Sequence, residues 1–275
     1  VAANGVVAYV RASGPATTEL ALVGLDGKRT SLGEVPAGTA APRIAANGKK
    51  VAFAAQGTIY VADFPNIAGA RKVIENATFP LLSPDGKWLS FGSLGQRRNN
   101  GEEILFMQRA DGSGEPEIIA RPARAGENWM EGDQGFSFIT HRGAGNNYDV
   151  WFYSPAKKEV EPIAVSVDDS AQMSSSISPN RKWVAFMSSE SGDWQLYVQP
   201  YPATGKKYQV STEGGRSPMW TSDNQLVFDK DGQMYAVSVQ LGDTPTFGKP
   251  RTLPVTGYIQ PQLRRNWELI RAGDL

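Results

Sequence analysis

The chain has 275 residues, with 28 basic and 28 acidic side chains, so its formal net charge is zero and no excess field directs it to nucleic acid or an anionic membrane. It has no cysteine, which excludes disulfides, thiolate zinc sites and thiol nucleophiles, and its one histidine, His141, excludes multi-histidine zinc, copper and manganese sites. Its apolar runs, such as residues 6–10, are far below the ~20 residues needed to cross a bilayer, so no spanning segment is expected, and a start at Val1 rather than Met reads as a processed or excised chain.

The predicted elements are strands arranged in copies of one pattern: a polar turn, often Asp-Gly or Asn-Gly, then a β-rich run containing an aromatic. In chain order the copies are Asn4-Gly5-Val6-Val7-Ala8-Tyr9, Asn47-Gly48-Lys49-Lys50-Val51-Ala52-Phe53, Ser83-Pro84-Asp85-Gly86-Lys87-Trp88-Leu89-Ser90-Phe91, Asp133-Gln134-Gly135-Phe136-Ser137-Phe138, Ser178-Pro179-Asn180-Arg181-Lys182-Trp183-Val184-Ala185-Phe186 and Asp223-Asn224-Gln225-Leu226-Val227-Phe228. A degenerate last copy is Asn266-Trp267-Glu268-Leu269-Ile270. The markers at 4, 47, 85, 133, 180, 223 and 266 are 43, 38, 48, 47, 43 and 43 residues apart, the period of a propeller blade. Five residues before the marker stand Pro42, Pro80, Pro218 and Pro261, with Asn128 and Ser175 in the other two units. Proline cannot donate to a ladder, so it is predicted at the first residue of each innermost strand.

Third strands follow at residues 58–61, 103–107, 149–153, 195–198 and 233–237, and outer strands such as 117–119 and 208–210 come after short turns. Only residues 66–70 are expected to hold a helical turn. The predicted fold is all-β: a six-bladed β-propeller of four-stranded antiparallel blades filling 1–275, with blades at 1–38 (closed by 258–275), 39–77, 78–126, 127–171, 172–214 and 215–257. Residues 260–270 are expected to pair with the N-terminal 6–35 to close the ring and remove a sheet edge. Seven blades is the alternative, if the end pieces form separate partial sheets.

The Ser-Pro-Asp-Gly-Lys-Trp-Leu-Ser-Phe and Ser-Pro-Asn-Arg-Lys-Trp-Val-Ala-Phe units resemble the repeat of TolB-like propellers, a WD-like group found in bacterial envelope proteins and beside peptidase or kinase domains. The run from Ser188 to Pro250, with Ser-Glu-Ser-Gly-Asp-Trp-Gln-Leu-Tyr-Val-Gln-Pro-Tyr-Pro and then Gln-Val-Ser-Thr-Glu-Gly-Gly-Arg-Ser-Pro-Met-Trp, resembles sensor-type propellers attached to bacterial serine/threonine kinases. The resemblance implies a periplasmic or extracytoplasmic place. It fixes no single function, because such propellers serve as partner platforms, substrate gates and ligand sensors.

No Gly-x-Ser-x-Gly nucleophile elbow occurs. Asp168-Asp169 and Asp229-Lys230-Asp231-Gly232 offer oxygens but match no Asp-x-Asp-x-Asp-Gly calcium loop. Glu102 and Glu103, adjacent on a strand, point to opposite faces rather than across a substrate. No catalytic residue, metal or cofactor is therefore assigned. Trp88 and Trp183, at one repeat position, are expected between blades, and Trp151 and Trp220 in the core.

Function in a propeller gathers where loops entering the inner strands meet those joining second to third strands. The candidate ligand-binding residues on that mouth are Arg97, Arg98, Asn100, Glu127, Trp129, His141, Arg142, Asn147, Asp193, Trp194 and Arg216. The leading reading is a non-catalytic binding or sensor module for a protein, peptide or glycan, monomeric or part of a larger chain. The runner-up is a mouth enzyme acting on a sugar or peptide, with Glu127, His141 and Arg216 as acid, base and anion clamp. A third is a propeller excised from a larger kinase or peptidase.

Overall fold

The computed structural model describes residues 5–12, 18–24, 26–93, 103–130, 134–142, 147–164, 169–259 and 264–271. The fold is an all-β propeller of six four-stranded antiparallel blades, and no α-helix occurs among the described residues. Strands β1 (Gly5–Ala12), β2 (Thr18–Gly24) and β3 (Arg29–Val35) begin the first sheet. The second holds β4 (Ala40–Ile44), β5 (Lys50–Ala55), β6 (Thr58–Asp63) and β7 (Arg71–Glu75), and the third β8 (Ala77–Leu82), β9 (Trp88–Ser93), β10 (Leu105–Arg109) and β11 (Glu117–Ala120). Next come β12 (Ala123–Trp129), β13 (Phe136–His141), β14 (Tyr148–Ser154) and β15 (Glu159–Ala164), then β16 (Gln172–Ile177), β17 (Trp183–Ser188), β18 (Gln195–Pro200) and β19 (Tyr208–Gln209). The sixth sheet has β20 (Arg216–Ser222), β21 (Gln225–Lys230) and β22 (Gln233–Gln240), with the short β23 (Thr246–Phe247) and β24 (Arg251–Thr252) both on β22. Finally β25 (Trp267–Arg271) returns to pair antiparallel with β1, from Gly5↔Arg271 to Tyr9↔Trp267. Among the described residues the one helical turn, Ile67–Gly69, follows Asn66, whose side chain accepts from the Ala68 N–H.

The recurrent turn is built from its own side chains. Asp85 Oδ1 accepts from the Lys87 N–H (3.0 Å) and the Ser83 hydroxyl (2.6 Å), while Ser83 Oγ accepts from the Trp88 N–H (2.9 Å). Asn180 repeats this with Lys182 (3.0 Å) and Ser178 (2.8 Å), and Ser178 with Trp183 (3.0 Å). These are Asx turns, which is why Ser-Pro-Asp/Asn precedes the second strands β9 and β17. Gly86 has φ +71, a conformation that favours glycine, whereas a Cβ there would only reach ordinary contact with the Ala45 Cβ at 3.4 Å.

Pro261 lies outside the described residues, and the other three prolines do not open the inner strands as expected. Pro42, Pro80 and Pro218 lie inside β4, β8 and β20, each after a residue at positive φ: Ala41 (51), Phe79 (53) and Ser217 (53). At that point the register slips by one residue, from Ala40↔Ala54 to Arg43↔Ala52, Thr78↔Gly92 to Leu81↔Ser90 and Arg216↔Asp229 to Met219↔Val227. The same slip occurs at Ser174 (φ 54), between Met173↔Met187 and Ser176↔Ala185. Each proline thus occupies a β-bulge, where the missing N–H breaks no ladder bond. The closure of the first sheet is as expected: β25, from Trp267, is its innermost strand, in the place that β4 holds in the second sheet, although its marker aligns it with the second strands of the other units.

The chain divides into two compact units: residues up to Gly126 with those from Pro254 on, and residues 127–253. In the first, one core gathers Val51, Phe53, Phe64, Ile67 and Ile270, and another Ile59, Leu82, Leu89, Phe91 and Ile104. In the second, Val150, Phe152, Phe186, Leu196, Trp220 and Phe228 belong to one continuous core. In four of the six blades the aromatic of the second strand stacks on its cross-strand partner in the third: Phe53 on Tyr60 (5.4 Å), Phe91 on Phe106 (5.6 Å), Phe186 on Tyr197 (6.1 Å) and Phe228 on Tyr235 (5.4 Å). Trp220 is fully buried, its Nε1 donating to the Ser176 carbonyl (3.1 Å). Trp151 and Trp183 are half-buried, and Trp88 is 36% exposed beneath the Arg109 guanidinium, 4.4 Å from its ring, so Trp88 is a surface residue rather than a packed one.

Candidate functional site

Eight of the eleven candidate residues lie within the unit 127–253; Arg97, Arg98 and Asn100 fall outside the described residues. The β13–β14 hairpin brings three together. His141 is the Cα partner of Tyr148, the rings 4.4 Å apart, and the Arg142 N–H donates to the Asn147 carbonyl (2.9 Å) beyond them. All three are half-buried. Arg142 spans to the next blade: Nη2 donates to the Ser170 carbonyl (2.9 Å), while Nε lies 3.6 Å from the buried Asp149 carboxylate.

From Ser170 a polar network runs into the β17–β18 loop. Gln172 Nε2 donates to Ser170 Oγ (3.0 Å) and Ser188 Oγ (3.2 Å), the Ala171 N–H donates to Ser189 Oγ (3.0 Å), and Lys207 pairs with Glu190. Beyond that loop Asp193 is exposed and Trp194 is half-buried against the core. Gln195 Oε1 accepts from the Gly214 N–H (2.9 Å) and the Ser211 hydroxyl (2.8 Å), tying the base of this loop to the segment that leads into Arg216. Arg216 itself is exposed, opposite the buried Asp229 in the β20–β21 ladder. The hairpin ends therefore form a mixed-charge surface pinned by backbone and side-chain hydrogen bonds.

Glu127 and Trp129 stand apart from this surface. Glu127 is 1% exposed. Its Oε1 accepts from the Ser174 N–H (2.6 Å), and its Oε2 from the Ser175 N–H (2.7 Å) and the Ser175 hydroxyl (2.5 Å), which also contacts Ser137 Oγ (2.8 Å). The positive φ of Ser174 turns two consecutive N–H groups toward one point, a nest that suits an anion. Where other blades have proline, Ser175 keeps its N–H, and Glu127 fills the nest. This carboxylate joins one inner strand to the next, so the expectation of Glu127 as a solvent-facing acid gives way to a buried clamp. Trp129 lies half-buried against Phe136, ring centroids 4.9 Å apart, rather than forming an open platform.

Sequence reasoning missed two groups. In the first unit, Glu268 is shared by Arg265 (Nη2 at 3.0 and 3.2 Å) and Arg43 (Nε at 3.4 Å), all three buried, and Asn266 Oδ1 accepts from the Ala41 N–H (2.9 Å) at the bulge. No signal but an arginine pair near the end of the chain pointed there. In the second, a cavity of about 350 Å³ lies between Met130, Phe152, Val160, Glu161 and Tyr201. The Tyr201 hydroxyl donates to Glu161 Oε1 (2.8 Å); burial, then this bond and the carboxylate charge, push the phenol pKa well above its ordinary value. Among the described residues, no group of three or more His, Asp or Glu side chains is placed to hold a metal ion, and no helix is long and apolar enough to cross a membrane.

No family model matches the chain, and no curated protein matches it in sequence. Solved structures match in fold. A putative TolB from Agrobacterium tumefaciens is 14% identical, with 93% of this chain and 92% of that chain covered and a TM-score of 0.65. TolB from Acinetobacter baumannii is 16% identical, with 97% and 66% covered and a TM-score of 0.70. A prolyl endopeptidase is 19% identical, with 92% and 41% covered and a TM-score of 0.58. At these identities the likeness establishes a TolB-like propeller fold. The chain spans about two fifths of the length of the endopeptidase and about two thirds of the Acinetobacter TolB.

Proposed function

We propose that the chain is a non-catalytic binding or sensor module, presenting the hairpin ends of residues 127–253 to a protein, peptide or glycan outside the bacterial cytoplasm. The observation that carries this reading is Glu127: the carboxylate nominated as acid is enclosed by three donors. A general acid must reach the atom it protonates. The surface that does face solvent, with Arg142, Asp193, Trp194 and Arg216, has both charges and one aromatic on pinned loops, the composition of a recognition face rather than of a catalytic pair. The likeness to TolB structures supports a place in the bacterial envelope, and the kinase-sensor resemblance of residues 188–250 supports a sensor as the finer reading. Because the chain spans 41% of the endopeptidase chain it resembles, a propeller working beside another domain is compatible with the same chemistry.

The test pairs two variants. Glu127→Gln should lower thermal stability by about 3 kcal/mol, because it weakens a buried charge-assisted cluster, and should reveal no lost turnover in screens with glycoside, uronide and peptide substrates. A double variant at the two exposed positions, Asp193→Lys and Arg216→Glu, should keep the melting temperature and lose retention of a partner identified from the source cell envelope. Turnover by the wild type that disappears in a folded His141→Ala variant would overturn the reading in favour of a mouth enzyme.

A further inference from the structure

The cavity beside Tyr201 is assigned no role by the surface just described. It belongs to the same unit but to the other end of the fourth blade: His141 pairs with Tyr148 at one end of the β13–β14 ladder, whereas the cavity opens where Phe136 pairs with Tyr153 and Ser154 with Glu159. Its volume, about 350 Å³, is at the small end of ligand sites, roughly 300–1,000 Å³.

Its charged groups are two carboxylates, Glu159 and Glu161, against one ammonium, Lys157, with Gln134 and Ser154 as neutral polar groups. The Tyr201 proton is committed to Glu161 Oε1, so the phenol oxygen keeps only lone pairs, and Glu161 Oε2 and the Glu159 carboxylate add further acceptors. The apolar part is an aromatic corner of Phe152 and Tyr201, centroids 6.0 Å apart at 53°, bordered by Val160, which is 42% exposed. Carboxylates that accept, next to ring faces that attract cations, select a flat cation rich in N–H groups. Lys157, exposed at the rim, supplies one donor suited to a carbonyl oxygen next to that cation. We infer that this cavity is a binding site for an arginine side chain presented by a peptide, the guanidinium on Glu161 and Glu159, its plane against Tyr201 and Phe152, and the peptide carbonyl on Lys157. The site is independent of the hairpin-end surface and stands or falls separately from it.

The experiment is a titration of the folded chain, followed by NMR, with acetyl-Gly-Arg-Gly-amide and with the same peptide carrying citrulline, which keeps the shape and loses the charge. Saturable shifts at Tyr201 and Met130 are expected with the arginine peptide, weakened about tenfold by Glu161→Gln and by added salt. Glu161 is exposed, so this variant should fold. Tyr201→Phe, which frees Glu161 from the phenol but keeps the ring, should retain binding. Equal binding of the citrulline peptide, binding indifferent to Glu161→Gln, no saturable shift with the arginine peptide, or a preference for methyl glucoside would overturn the assignment.

Discussion

At the scale of single residues, the same few atoms both identify the repeat and hold it. Asp85 carries a turn through two accepted hydrogen bonds and a contact of 3.1 Å with the Lys87 ammonium. Partial burial pushes its carboxyl up, but the Ser83 hydroxyl, the Lys87 N–H and the Lys87 charge together hold its pKa below the ordinary value. A carboxyl whose pKa is lower in the folded state stabilises that state above its unfolded pKa, and the contribution is lost as the pH falls through the folded value. Stability should therefore decline as the pH drops below about 4, and Asp85→Asn, which keeps the turn acceptor and removes the charge, should flatten that part of the profile in melts recorded across the acid range. Asn180 already makes the same turn without a charge. The motif was legible because an Asx turn needs only neighbours in sequence. Glu127 was misread for the opposite reason: its donors are 47 and 48 residues away.

Elements are held by pairs that the alternation of the strands prepares. An aromatic at the close of a second strand meets an aromatic in the third because both side chains leave the same face at a directly opposed position. Phe186, 1% exposed, stacks on Tyr197 and belongs to the core of residues 127–253. Phe186→Ala should cost about 3–5 kcal/mol, read as a shift in the denaturant midpoint at unchanged slope, whereas Phe186→Leu should lose less than half of that. The strands themselves were legible from β-rich runs and turn residues. The bulges were not, because proline signals only a missing donor, and whether that donor is absent at a strand's first residue or at a slipped register depends on the partner strand.

For the whole molecule, the last strand decides whether the first sheet is complete. With β25 in place, β1 has a partner on each side, β25 and β2. Removing residues 265–275 takes away that pairing together with Glu268, the carboxylate shared by Arg43 and Arg265. The shortened chain should melt lower and associate in a concentration-dependent way through the exposed β1 edge, measurable by light scattering; a monomer with unchanged melting would show that closure contributes little. By itself the sequence determined the strand content, the period, the turns and the propeller class, because these rest on local backbone preferences repeated at a fixed interval. It also set the absence of thiols and the charge balance. Only the tertiary structure decided that the two end pieces share one sheet, which makes the blades six and not seven, that the described prolines sit in bulges, that Glu127 is a buried clamp, and that Glu161 and Tyr201 share a cavity. Those outcomes depend on which residues, tens of positions apart, are brought within hydrogen-bond reach, and a period gives the distance between repeats but not the contacts across them.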